Sequence, residues 1–256
     1  MREMRGIYIW LLPIVVLMIS CGRNEKEGPL TIATAANMQF AMEDMIRAFE
    51  VAADISCELV VSSSGKLTAQ IHEGAPFDIL ISADMKYPED LYRAGLTETP
   101  PQVYAYGKLV LWSLQDSLEL SLQALKSPNV RHVALANPET APYGKAALEV
   151  LQYHGIYEEV REKLVFGESI AQTNQFIISK AAEAGFTAMS VVLAPRLEES
   201  GHWVELDPKT YHPIAQGLVV IKGSEQASAD ALAFRDFLFS AAGKKILTKF
   251  GYLVDE

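Results

Sequence analysis

From Leu30 onward, short apolar runs alternate with stretches whose apolar residues return at helical spacing, and no other feature restricts the possible folds as much. Residues 30–34 read as a strand, after which Met38, Met42, Met45, Ile46 and Phe49 recur in steps of three and four. Residues 57–61 form a second strand, and Leu67 and Ile71 mark a short helix that Gly74 and Pro76 end. A mostly apolar run at 77–82 reads as a buried strand, followed by a helix at 88–94 with Pro88 in its first turn. The pattern then repeats. Strands are expected at 109–112, 133–136, 186–190 and 214–221, and helices at 144–154, 170–184, 229–239 and 244–250. Repeated strand–helix units predict an α/β protein with parallel sheets.

Two lobes are expected, joined by crossing segments near 104–108 and 212–217. One lobe takes residues 29–106 plus 215–256, and the other takes 107–214. Three polar segments fall between a strand and a helix: Thr34-Ala35-Ala36-Asn37, Ser62-Ser63-Ser64-Gly65 and Ala141-Pro142-Tyr143-Gly144. The first four N–H groups of a helix have no partner within it and lie at the positive end of its dipole. Ligands of open α/β sheets gather at the carboxyl ends of strands, so these loops outline a site for an anion in the cleft between the lobes. Asn37 and Ser64 also suit plain helix capping, and Tyr143 suits a half-buried aromatic after a proline turn. Ile170, which opens its helix, could contribute only through its backbone.

The formal net charge of −10 argues against nucleic acid as a partner, because phosphate contacts need clustered Lys and Arg. The start is a targeting segment: Arg2 and Arg5 precede an apolar run from 7 to 19, so residues 1–20 read as a secretory signal. Met18-Ile19-Ser20-Cys21 resembles a bacterial lipobox, which makes Cys21 the expected lipidation site, and residues 21–28 read as a tether. Cys57 is then the only free thiol expected in the mature chain, a small buried hydrophobe rather than a reactive thiol.

Ser63-Ser64-Gly65-Lys66 formally satisfies the S-x-x-K pattern of acylating serine enzymes, but its companions S-D-N and K-T-G are absent. Gly65-Lys66 is not a P-loop, since Leu67 stands where Ser or Thr is required. The five histidines have no metal-ligand spacing.

Together, Ala35-Ala36-Asn37, Ser62-Ser63-Ser64-Gly65 with Gln70-Ile71, Gly74-Ala75-Pro76, Asp78 with Ile81-Ser82-Ala83-Asp84, Pro138 with Ala141-Pro142-Tyr143-Gly144, and Gly185-Phe186 resemble the extracytoplasmic molybdate-binding proteins of ABC transporters. The resemblance spans about Leu30 to Tyr252. It implies the two-lobed periplasmic-binding-protein fold of type II, with oxyanion contacts at Asn37, Ser64, Tyr143 and Ile170 and the backbone of Ala36. It further implies a monomer outside the cell, held to the membrane by its lipid, that carries molybdate and also tungstate to a permease. No cofactor, metal-ion ligand or catalytic residue is implied. Ala36 stands where some members have Thr. Other members take their Tyr from the strand after Gly185, where this chain has Thr187, Ala188 and Met189. A receptor for another tetrahedral oxyanion such as sulfate, and a secreted Ser-Lys acyl enzyme, are the alternatives at this point.

Overall fold

The computed structural model describes residues 28–197, 201–223 and 225–254, and in it the strand–helix alternation resolves into two five-stranded sheets. The signal segment, Cys21 and nearly all of the tether lie outside the described residues. The chain begins with β1 (Leu30–Ala35), α1 (Gln39–Ala53), β2 (Cys57–Ser62), α2 (Ser64–His72), β3 (Ile79–Ile81), α3 (Lys86–Arg93) and β4 (Gln102–Gly107). It crosses at Lys108 into β5 (Leu109–Ser113), β6 (Val133–Ala136), α4 (Pro142–Tyr153), α5 (Tyr157–Val160), β7 (Leu164–Gly167), α6 (Ile170–Ile178), β8 (Ala184–Ala188), α7 (Met189–Val192) and β9 (His202–Glu205). It then returns to β10 (Ile214–Val220), α8 (Glu225–Phe239) and α9 (Ala241–Lys249).

The sheets have the orders β2-β1-β3-β10-β4 and β7-β6-β8-β5-β9. Both are mixed, which refines the expectation of parallel sheets. β2, β1 and β3 run parallel while β10 opposes both of its neighbours, and β5 does the same beside β7, β6 and β8. β5 and β10 are the strands entered straight from the other sheet. Strands reached through a helix of their own lobe take the parallel direction that a crossover helix permits. A strand arriving from the opposite lobe is free of that rule.

Helices cover both faces. In the first lobe Met42, Met45 and Phe49 of α1 meet Phe234 and Leu238 of α8 and Leu247 of α9. Phe49 and Phe234 stack edge to face with centroids 5.0 Å apart. Leu67, Ile71 and Leu91 close the opposite face. In the second lobe α4 buries Ala146, Ala147, Val150 and Leu151, while Ile177, Met189 and Val192 pack on Trp112 and Val110 from the other side. After α9 the chain pairs Leu253 with Tyr106 and so brings Tyr252 to the junction of the lobes.

The helix expected at 170–184 is shorter than the spacing suggests. It ends at Ile178, where Lys180 takes a left-handed conformation with φ 58° and its N–H returns to the Ile177 carbonyl at 3.0 Å. The next strand therefore starts at Ala184, and Met189 and Ser190, read as strand, open α7 instead. Gly185 permits the early start, because a Cβ there would stand 2.7 Å from the Ala134 carbonyl oxygen and 2.6 Å from Ile177 Cδ1.

Candidate functional site

Four strand ends deliver four helix starts to one place. β1 runs into a single 3-10 turn, Ala36–Met38. Ser63, in extended conformation, caps α2, while Ala141 caps α4 with Pro142 at its first position. Ser169 caps α6, its Oγ accepting the Gln172 N–H at 3.4 Å. The loops meet around a tight cavity, about 10 Å³, lined by Ala35, Ala36, Asn37, Ser63, Ser64, Ala83, Ala141, Pro142, Tyr143 and Ile170. None of these residues carries a charge, and all five positions predicted from sequence are among them. Each of the five is at most 4 % exposed.

The residues differ in what they have left to give. Ser64 Oγ accepts the Ala83 N–H at 3.0 Å and keeps its own proton. Ser63 Oγ is buried and has no hydrogen-bond partner among the described residues. That orphan hydroxyl is itself a signal, since buried polar groups are ordinarily paired. Ile170 is the first residue of α6 and offers only its N–H. Asn37 is the surprise. Its amide nitrogen is committed away from the cavity, donating to Gln216 Oε1 and to the Tyr252 hydroxyl at 2.9 Å each. This leaves its backbone N–H, like that of Ala36, as the group it can offer.

Beneath the cavity lies a buried polar network that sequence reasoning missed. Gln216 Nε2 donates to the Tyr143 hydroxyl at 3.1 Å, and the Tyr104 hydroxyl stands 3.2 Å from Gln216 Oε1. Ser190 Oγ donates to the Asn37 carbonyl at 2.7 Å, and the Tyr252 hydroxyl donates to Ser190 Oγ at 3.0 Å. Tyr143 and Ser190 come from the second lobe and the rest from the first, so the network joins the two. Burial, followed by the neighbouring phenols Tyr252 and Tyr104, pushes the Tyr143 hydroxyl well above its ordinary range, so it remains an O–H donor. One signal was available in the sequence: Gln216 is the polar residue in an otherwise apolar strand.

The charged neighbours lie outside the cavity lining. Lys66 pairs with Glu168 across the cleft, so its ammonium is engaged at the rim. Asp84 Oδ1 accepts from Ser82 Oγ at 3.3 Å and the Tyr87 N–H at 3.4 Å, which fixes the loop before α3. No group of three or more His, Cys, Asp or Glu able to hold a metal ion occurs among the described residues. Cys57 is half-buried, and burial, then Glu50 and Asp230, push its thiol up to about 12. The thiolate is therefore suppressed, as suits a structural residue.

Two α/β lobes joined by two crossings, with a closed pocket of neutral donors between them, define a solute receptor of the two-lobed class. The chain belongs to the bacterial extracellular solute-binding protein family, whose model matches residues 30–253. It is 35% identical over 240 residues to a molybdate-binding protein of Azotobacter vinelandii, covering 92% of this chain and 93% of that one. It is equally 35% identical over 243 residues to the molybdate-binding protein of Rhodobacter capsulatus, covering 94% of each. The solved periplasmic molybdate-binding protein of Azotobacter vinelandii superposes with a TM-score of 0.83 at 31% identity, over 89% of this chain and 100% of the other.

Proposed function

We propose that this protein captures molybdate outside the cell, accepts tungstate at the same site, and delivers its guest to an ABC permease. The observation that carries this reading is the buried pocket whose lining holds hydroxyls and helix-start N–H groups but no carboxylate and no cation. Hydrogen bonds to a charged group contribute about 1.5–3 kcal/mol each, so several of them offset the dehydration of a dianion. The same donor set disfavours hydrogenphosphate, whose O–H finds no acceptor and costs roughly 1–3 kcal/mol. Sulfate brings no proton and is refused by reach, since donors set for a larger anion cannot all close on a smaller one.

Asn37 and Ala36 contribute backbone N–H groups, Ser64 and Tyr143 hydroxyls, and Ile170 its N–H. Residues 1–20 serve as a signal and Cys21 takes the lipid, so the monomeric receptor stays tethered by 21–28 at the membrane surface. The lobes at 29–106 plus 215–256 and at 107–214 close on the guest.

A thermal-shift panel of molybdate, tungstate, sulfate, phosphate and thiosulfate tests the assignment. A ligand that binds only the folded state adds about 2.7 kcal/mol at a hundredfold excess over its Kd, a clear rise in melting temperature. The reading predicts that rise with molybdate and tungstate. A rise with sulfate alone reassigns the receptor, and no rise with any of the five removes it from the oxyanion class.

A further inference from the structure

We propose that Gln216 is a positioning residue that fixes the Tyr143 hydroxyl as a hydrogen-bond donor toward the bound anion. The inference rests on the oxyanion reading above and adds to it a residue that does not line the cavity. It follows from tracing each proton in the buried network from a group with only one possible role. The Asn37 carbonyl can only accept, and it takes the Ser190 proton at 2.7 Å. Ser190 Oγ at 3.0 Å and the Asn37 carbonyl at 3.1 Å are then the acceptors for the Tyr252 proton, and either one makes Tyr252 a donor. With its proton placed, the Tyr252 oxygen accepts from Asn37 Nδ2 at 2.9 Å. Asn37 must therefore present its NH₂, and its second proton goes to Gln216 Oε1, also at 2.9 Å.

Gln216 now has its carbonyl occupied, so its Nε2 donates to the Tyr143 oxygen at 3.1 Å. A phenol that accepts there has its proton left to give. Two acceptors are within its compass: the Tyr252 oxygen beside it, and an anion in the cavity. Tyr143 is thus poised to donate. Gly107 makes the arrangement possible, for a Cβ at that position would stand 2.0 Å from the Tyr143 hydroxyl oxygen and 2.5 Å from Gln216 Nε2. Gln216 is fully buried, and its hydrogen bond to Tyr143 crosses between the lobes, so solvent does not compete for it.

The test is a pair of double-mutant cycles by calorimetry with molybdate, using Gln216→Glu and Gln216→Met, each alone and combined with Tyr143→Phe. In Gln216→Glu the carboxylate accepts from all its neighbours and draws the Tyr143 proton away from the anion. Its like charge also repels the anion, but equally in both backgrounds. The expected result is an affinity loss of about tenfold or more in each single variant; with Tyr143→Phe present the Gln216→Met loss shrinks to a small residual and the Gln216→Glu loss shrinks to the part its charge causes. Gln216→Met, which is neutral and of similar volume, removes the positioning hydrogen bond without adding a charge. Circular dichroism and the melting temperature of each variant report folding. If wild-type protein binds molybdate and Tyr143→Phe weakens it, yet the Gln216 losses are the same in both backgrounds, the positioning role is overturned while the receptor assignment stands. If no oxyanion in the panel binds wild-type protein, the receptor assignment itself fails.

Discussion

The Gly65 N–H donates to the Thr140 carbonyl at 3.1 Å, binding the start of α2 in one lobe to the loop before α4 in the other. The Tyr87 hydroxyl adds a second link to the neighbouring Glu139 carbonyl at 3.1 Å. Gly65 is needed for this approach, since a Cβ there would lie 3.1 Å from Thr140 Cα and 2.8 Å from the Tyr87 hydroxyl oxygen. Gly65→Ala should therefore hold the lobes slightly apart and weaken anion binding several-fold. Gly in a helix costs roughly 0.5–1 kcal/mol relative to Ala, so the ligand-free melting temperature should hold or rise. Calorimetry together with small-angle scattering in the presence of molybdate checks both halves. Unchanged affinity and an unchanged closed envelope would remove Gly65 from the closure contact.

Ile170 allows a backbone donor to be deleted by mutation. As the first residue of α6 it occupies the one helix position where proline is welcome, and Ser169 before it already has the extended conformation that proline demands. Ile170→Pro should leave α6 intact and delete the N–H proposed to bind the anion. The expected loss is one charge-assisted bond, about 1.5–3 kcal/mol or tenfold and more in Kd. Equal affinities for wild-type and variant protein would strike Ile170 from the site.

The two serines of the α2 cap should separate in an informative way. Ser64→Ala removes a donor and also strands the Ala83 N–H that Ser64 Oγ now accepts, so both affinity and stability should fall, the latter by about 1–3 kcal/mol. Ser63→Ala removes a hydroxyl that no described group satisfies, so the ligand-free protein should be unchanged or slightly more stable while molybdate binds more weakly. Chemical denaturation and calorimetry on both variants resolve the two effects. If Ser63→Ala destabilises the protein without touching affinity, its hydroxyl serves the fold and not the guest.

The sequence made the central strands legible because strands buried on both faces read as largely continuous apolar runs, as β3, β5 and β6 do. The strands that escaped notice, β4, β7 and β9, all lie at sheet edges, and each carries exposed positions among its buried or half-buried ones. The pocket was legible for a related reason: a polar loop between a strand and a helix is a local pattern. The network under it was not, because Asn37 and Tyr252 are 215 residues apart and nothing near Tyr252 in the chain marks it as a partner. Only long-range folding brings the chain end back beside Tyr106 and sets the Tyr252 hydroxyl against Asn37. A similarly long separation hides the bond from the Asn37 amide to Gln216.

Glu183 gives the second lobe a defined acid sensitivity. Its side chain is buried, and Oε2 accepts the N–H groups of Arg131 at 3.0 Å and His132 at 2.7 Å. Burial alone would raise its pKa, but these backbone N–H groups, with the Arg131 guanidinium adding less, outweigh it and hold the carboxyl below its ordinary 4.5. A carboxylate whose folded pKa is depressed binds its proton more readily in the unfolded chain. Its stabilising contribution is therefore complete above 4.5 and is lost as pH falls through the lower folded value. Glu183→Gln should lower the melting temperature at pH 7, where the charged acceptor matters most. The gap to wild type should narrow as the pH drops below 4.5, because wild type then gives up the same charge. Melting curves from pH 7 down to strong acid provide the check, and two profiles that stay parallel throughout would show that this carboxylate is not the group that responds.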